Sequence, residues 1–292
     1  QVDALIANWQ GRGNRFVLTS RVVGYREAQL PGDLPHVTVL DFGPSEIELF
    51  AHQWCRAFEV WAAGRETPTA LQTASGEEEA LLADVRGNPS VELLASNPLL
   101  LTMLAILRRQ VGKLPDRRVE LYERYVRTLI DNREQERSRG ARQQAPQRFD
   151  PHRAIAHLME LALWLQLNRS SGTARRYDLE EALCDICLRY EGHDLTHKSK
   201  ILQKAVVQAQ QDAAAFLHDM RAIAGLLAER GRDAFGFLHL TFQEYFAGRA
   251  LASREPAERW QLLKPHLHKP RWREPILLCA GQLGVIEQRR NQ

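Results

Sequence analysis

A histidine ends the apolar run in Phe235-Gly236-Phe237-Leu238-His239-Leu240-Thr241-Phe242-Gln243-Glu244-Tyr245-Phe246-Ala247, where a short strand passes into a helix. An imidazole at that junction can meet an anion, because the first backbone N–H groups of a helix point outward unpaired. A single histidine among apolar residues is also the ordinary mark of a hydrogen-bonded core side chain. Arg21 follows closely on a second apolar run, Phe16-Val17-Leu18-Thr19. The carboxyl end of a buried parallel strand is where α/β sheets bind ligands, and a guanidinium there can read phosphate oxygens or simply sit exposed. Cys184 and Cys187, followed by His193 and His197, supply the donor types of a zinc site. The gap from thiols to imidazoles is shorter than the usual finger spacing, and the cysteines share an apparent helix with Leu183, Ile186 and Leu188, which favours core packing. No Gly-x-x-x-x-Gly-Lys-Ser/Thr loop occurs, and no serine, histidine and acid set stands out as a hydrolase constellation.

The elements that must position these residues are mostly helices. Phe16 to Thr19 and Val37 to Leu40 read as short buried parallel strands, joined by a loop punctuated by Gly24, Pro31, Gly32 and Pro35. Two such strands cannot make a domain alone, so residues 1–42 read as the tail of a sheet. Pro44-Ser45-Glu46-Ile47 starts a helix whose apolar face carries Ile47, Phe50, Trp54, Phe58 and Trp61. Gly64 to Gly76 reads as a loop, followed by helices over Glu79 to Val85, Val91 to Leu107 and Arg118 to Asn132. Residues 133–148 hold almost no apolar side chain and read as a solvated linker. Beyond it, Asp150-Pro151 caps a helix through Leu167, and Tyr177 to Tyr190 and Asp212 to Glu229 read as the next helices. The strand from Phe235 to Leu238 leads into a helix from Thr241 to Ala252, and Pro256 to Arg290 opens a further helical segment. Helices followed by a strand at a turn fit a winged-helix unit.

Thirty-nine basic against 36 acidic residues give a net +3, too balanced to imply a nucleic-acid or membrane partner by charge alone. Four cysteines in 292 residues argue against a disulfide framework and for a reducing, cytoplasmic setting. The longest nearly apolar run, Pro98 to Leu107, falls short of the roughly 18 residues of a membrane helix. Val2, Leu5, Ile6 and Trp9 place Gln1 inside an amphipathic helix, so the chain reads as part of something longer.

Three segments in order, Leu18-Thr19-Ser20-Arg21, Ser96-Asn97-Pro98-Leu99-Leu100 and the Phe-x-His-x-x-Phe-Gln-Glu motif at 237–244, resemble NACHT-type signal-transduction ATPases of the STAND class. The resemblance covers nearly the whole chain. It implies a mainly α fold with minor β: the end of a P-loop α/β parallel sheet with its sensor-1 element (1–42), a helical domain (43–132), a linker (133–148), a winged-helix domain (149–253) and the start of a second helical domain (254–292). It further implies that Thr19, Ser20 and Arg21 approach the γ-phosphate of a bound nucleotide, that Pro98 packs near its base or ribose, and that His239 approaches the β-phosphate of ADP. ATP or ADP is then the ligand, with magnesium held by an upstream P-loop half that supplies the ligands this chain lacks. The metal strand precedes sensor 1 in such proteins, so Asp41, which ends a strand-like run, reads as a turn residue and not as a magnesium ligand. Similar proteins close as ADP-bound monomers, oligomerise with ATP and act in innate-immune-like or antiphage defence signalling. Without the P-loop, this chain alone is not expected to hydrolyse ATP. The alternative is a non-catalytic helical and winged-helix interaction module that binds DNA. Against it, the 241–252 helix carries Phe242, Tyr245 and Phe246 and only one basic residue, Arg249.

Overall fold

The computed structural model describes residues 8–9, 13–19, 36–128, 150–222, 226–231 and 233–287. The chain divides into two compact units, residues 1–41 and 42–292.

In the first unit the expected parallel strands are not formed: residues 14–19 and 36–41 carry no strand, and Val17, Val37 and Val39 are 91%, 93% and 94% exposed. A β-run becomes a strand only by pairing, and parallel strands need neighbours on both edges and cover on both faces. Neither is present among the described residues of this unit. Ser20 and Arg21 lie outside the described residues, and Thr19 is exposed.

The described part of the second unit begins with five helices. Helix α1 (Pro44–Ala63) starts where the Glu46 carboxylate accepts the Gly43 N–H at 2.9 Å, and ends at Gly64 with φ 70°. Its inner face buries Ile47, Ala51 and Cys55. Helix α2 (Pro68–Arg86) is capped by the Thr67 hydroxyl, which accepts the Ala70 N–H at 3.1 Å. The expected loop over 64–76 is therefore only a short turn, and α2 runs through the exposed Gly76. One helical glycine costs about 1 kcal/mol against alanine, which a buried face of Ala70, Ala74, Leu81, Leu82 and Val85 outweighs. The single helix expected over 91–107 is broken into α3 (Pro89–Ala95) and α4 (Pro98–Val111). The break follows from Pro98, which forces Asn97 into the extended region (φ −93°, ψ 121°). Helix α5 covers residues 118–128 and buries Val119, Leu121, Tyr122 and Val126.

Next come α6 (Pro151–Asn168), β1 (Thr173–Arg175), α7 (Arg176–Tyr190), α8 (Gln203–Ala222), β2 (Leu227–Gly231) and β3 (Ala234–Phe237). The strands form an antiparallel sheet in the order β1-β3-β2. A helix over 212–229 was expected, but α8 ends at Ala222 and Leu227–Gly231 pairs with β3 across a turn at Asp233, whose φ is 62°. Sheet pairing here overrides the local helix propensity of alanine and leucine. A Cβ on Gly236 would stand 2.5 Å from the Gly172 carbonyl oxygen, so only glycine lets β3 lie against the turn before β1.

Helix α9 (Leu240–Ala252) is the hub of the second unit, with Phe242, Tyr245, Phe246, Ala247, Ala250 and Leu251 all buried. Each large side chain so buried contributes about 1.5–3 kcal/mol. It packs on α6, on α5 through Tyr122 and Tyr125, and on α11 (Arg273–Gly281), where Gly248 faces Pro275 and Leu278. Between α9 and α11 lies α10 (Pro256–Leu263). Among the described residues no helix is long and apolar enough to cross a membrane.

Candidate functional site

Two helix N-termini meet at His239. The chain leaves the sheet at Leu238, whose N–H donates to the Leu226 carbonyl at 2.7 Å, and His239 then takes the extended N-cap position of α9 (φ −135°, ψ 143°). Its Nδ1 lies 2.9 Å from Thr241 Oγ1 and 3.3 Å from the Thr241 backbone nitrogen. Its Nε2 lies 3.0 Å from Nδ2 of Asn97, a residue 142 positions earlier. Asn97 is the N-cap of α4: its Oδ1 accepts the N–H groups of Leu99 and Leu100 at 3.0 and 3.2 Å. The Phe42 N–H donates to the Ser96 carbonyl at 2.7 Å, which fixes the turn before α4 to the start of α1.

The fold thus sets the positive ends of α4 and α9 side by side, each equivalent to roughly half a unit charge. Imidazole and carboxamide stand in contact between them, both half-buried, while Pro98 occupies the first turn of α4 and is exposed. Helix ends and N–H donors converging in this way suit an anion such as a phosphate oxygen. Of the residues singled out from sequence, Pro98 and His239 are brought to this junction. Thr19 lies in the other unit, and Ser20 and Arg21 lie outside the described residues. Sequence reasoning missed Asn97 and Thr241. The Asn-Pro step did mark an N-cap, but nothing local links it to a histidine 142 residues away.

Beneath the junction a polar network holds α9 in place. Tyr245 donates to Glu123 Oε2 at 2.9 Å, and Arg249 approaches the same oxygen at 3.3 Å. Arg118 pairs with Glu274 at 2.9 Å, joining α5 to α11. Near that pair, burial pushes the Glu244 carboxyl up to about 7, helped by the Glu274 charge and opposed by Arg118. The Arg118–Glu274 pair lines a pocket of about 270 Å³ floored by Val119, Leu278 and Val285.

Of the metal-like pattern the two cysteines lie in the core, while His193 is partly buried and His197 exposed. Cys184 and Cys187 are both buried in α7, and among the described residues no three metal-ligating side chains gather. Burial pushes the Cys187 thiol up to about 11, and the Cys55 thiol likewise. The thiolate is the reactive form, so Cys55 and Cys187 should be at least tenfold slower towards iodoacetamide in the folded chain than in urea, read by mass spectrometry. Equal labelling in both states would contradict the burial.

Residues 118–251 match the model of the family described as the winged helix-turn-helix domain C-terminal to NACHT. This segment is a NACHT-associated winged-helix domain. No curated protein matches the chain. The matched span includes α5, read from sequence as the end of the preceding helical domain, and α5 indeed packs on α9. In a helix-turn-helix the second helix of the pair is the one that can enter a DNA groove, and in this winged-helix domain that helix is α8. Helix α9 is largely buried, so α8 and not the 241–252 helix is the one that a DNA reading requires. The exposed residues of α8 include five that are polar but uncharged or apolar, Gln203, Val207, Gln208, Gln210 and Gln211, beside Lys204 and His218. Beside it, Glu180, Glu181 and Asp185 of α7 line a cavity with Val206 and Gln210.

Proposed function

We propose that this chain is part of a nucleotide-dependent signalling switch of NACHT type, which closes over ADP and opens and oligomerises with ATP. The observation that carries the reading is the 3.0 Å contact between Asn97, beside Pro98, and His239. The family resemblance named the Pro98 and His239 segments as contacts to one nucleotide, and here they share one junction. In this reading residues 1–42 end the nucleotide-binding domain, 43–132 form the first helical domain, and 254–292 begin the second. By the same resemblance Thr19, Ser20 and Arg21 are further contacts to the nucleotide. The P-loop and magnesium ligands belong to an upstream half of the same protein, in the cytoplasm, and this chain alone does not hydrolyse ATP. Defence signalling is the setting such a switch serves.

The residues present fit a phosphate group: two helix N-termini, an imidazole and a carboxamide donor surround it with positive potential. When bound, ADP would supply contacts to both the α4 and α9 ends. Only contacts that the open state lacks can bias the equilibrium, and a ligand held at a junction between elements meets that condition. DNA binding through α8 is disfavoured by its glutamine-rich face and the acidic cavity beside it, which offer little to a phosphate backbone.

In the intact protein, His239→Ala should lower the ADP that co-purifies about tenfold or more, since a hydrogen bond to a charged group is worth about 1.5–3 kcal/mol. Acid extraction and chromatographic quantification of bound nucleotide measure this. Equal ADP content in the variant would remove His239 from the site.

A further inference from the structure

The chain's net charge of +3 hides a local excess: Lys264-Pro265-His266-Leu267-His268-Lys269-Pro270-Arg271-Trp272-Arg273 holds four lysines and arginines, two histidines and no carboxylate. The stretch follows α10 as two short 3₁₀ turns, Lys264–His266 and Pro270–Trp272, and lies beyond the matched winged-helix segment. The fold anchors it at three points. Arg259 donates to the Leu251 and Ala252 carbonyls at the end of α9, each at 2.9 Å. Arg271 donates to the Gln166 and Arg169 carbonyls at the end of α6, and Trp272 is buried.

What this anchoring leaves at the surface is cationic and aromatic. Lys264, Lys269 and Arg273 are exposed. The neighbouring carboxylates are engaged elsewhere, Glu258 with Arg254 at 3.3 Å and Glu274 with Arg118 at 2.9 Å, and Glu255 stands at the opposite end of α10. The His266 ring lies flat on Trp272 with centroids 4.3 Å apart, and its Nδ1 accepts from Lys269 Nζ at 3.0 Å. Burial pushes this imidazole below its ordinary range, and Lys269, Arg271 and His268 push it the same way, which marks the local field as positive. Trp260 is 52% exposed, and the Lys264 N–H donates to its carbonyl, so indole and ammonium stand one turn apart on one face.

Cations set beside an exposed ring face suit a ligand that carries both phosphates and unstacked bases. A duplex is a poorer fit, because the arginine of α10 is tied to carbonyls and leaves no basic helix for a groove. An anionic membrane would need more apolar surface than Leu267, the one exposed leucine of the stretch, supplies. We propose that residues 260–273 form a binding site for single-stranded nucleic acid, with Lys264, Lys269 and Arg273 on phosphates and Trp260 stacked on a base. The site owes nothing to the nucleotide reading, since none of its residues belongs to the His239 junction.

The test is the fluorescence anisotropy of a labelled oligothymidylate of about 12 nucleotides, titrated with the chain at a series of salt concentrations. Three phosphate contacts predict a slope of log K against log salt of about −2, and Lys264→Gln, Lys269→Gln or Arg273→Gln should each flatten it by about 0.7. Trp260→Ala should weaken binding about fivefold to a hundredfold and leave the slope unchanged. All four side chains are exposed, so these substitutions should leave the fold intact. No binding in dilute salt, a slope indifferent to the three cations, or a Trp260→Ala chain that binds as tightly as the unmodified one overturns the proposal. Displacement of the oligonucleotide by phosphatidylserine vesicles, but not by phosphatidylcholine vesicles, would assign the patch to a membrane and overturn it too.

Discussion

Tyr245→Ala should destabilise the second unit by about 3–5 kcal/mol, the largest loss expected from any single truncation of α9. The ring is fully buried, stacks on Tyr122 at 5.3 Å, meets Phe246 edge-on at 5.2 Å, and its hydroxyl donates to Glu123 at 2.9 Å. Burial raises the phenol well above its ordinary range, so it stays a donor at any working pH. Truncation opens a cavity between α5 and α9 and takes a partner from a carboxylate that is itself buried. Tyr245→Phe keeps the packing and loses only the hydroxyl, so it should cost about 1–3 kcal/mol, because Glu123 retains Arg127 at 2.9 Å and Arg249 at 3.3 Å. Urea unfolding midpoints of the three proteins measure both differences. A loss below about 1 kcal/mol for Tyr245→Ala would mean that α9 is not the hub the packing indicates.

His157 should make the winged-helix core sensitive to acid. It lies on α6 with Tyr190 of α7 and Phe216 of α8 each edge-on at 5.3 Å, so one imidazole joins the three helices. Its Nε2 is buried without a hydrogen-bond partner. Burial pushes the ring down from 6.5 to about 4, with Arg153 adding to the shift and Asp212 opposing it. A base depressed in the folded state binds its proton first in the unfolded chain. The stability it contributes is therefore complete above about 6.5 and is lost as pH falls towards about 4. The expected loss is about 2 kcal/mol between neutral pH and pH 4, allowing for partial access of water to the site. Glu244 works in the opposite sense: an acid raised from 4.5 to about 7 stabilises the fold fully below 4.5 and loses that contribution as pH rises through 7. The difference between the pH–stability profiles of the unmodified chain and His157→Leu separates the two. That difference should grow as pH falls below 6.5, and a flat difference would show that the ring is not held neutral by the core.

The helices were legible wherever local chemistry decides the matter. Asp150-Pro151 was readable as a cap and first turn, and the Asp150 carboxylate does accept the His152 N–H at 2.9 Å at the start of α6. Pro44 and Pro68 start helices for the same reason, although Gly76 hid the length of α2. Strands were less legible, because their stability lies in partners. Leu227–Gly231 looked helical until β3 was there to pair with it, and Phe16 to Thr19 looked like a strand where no described partner exists. The site was half legible. His239 and Pro98 carried motifs, but the Asn97 contact joins α4 to α9 across 142 residues of sequence, which no local pattern shows. The second helix of the winged domain, α8, is recognisable only once β2 is separated from it.

The central claim is that the junction of α4 and α9 at His239 is a nucleotide contact. The release rate of a fluorescent ADP analogue from the intact protein, compared between the unmodified form and His239→Ala, tests it most directly. Release about tenfold to a hundredfold faster in the variant is the predicted result. Identical release rates would contradict the account and leave the Asn97–His239 contact as a purely structural tie.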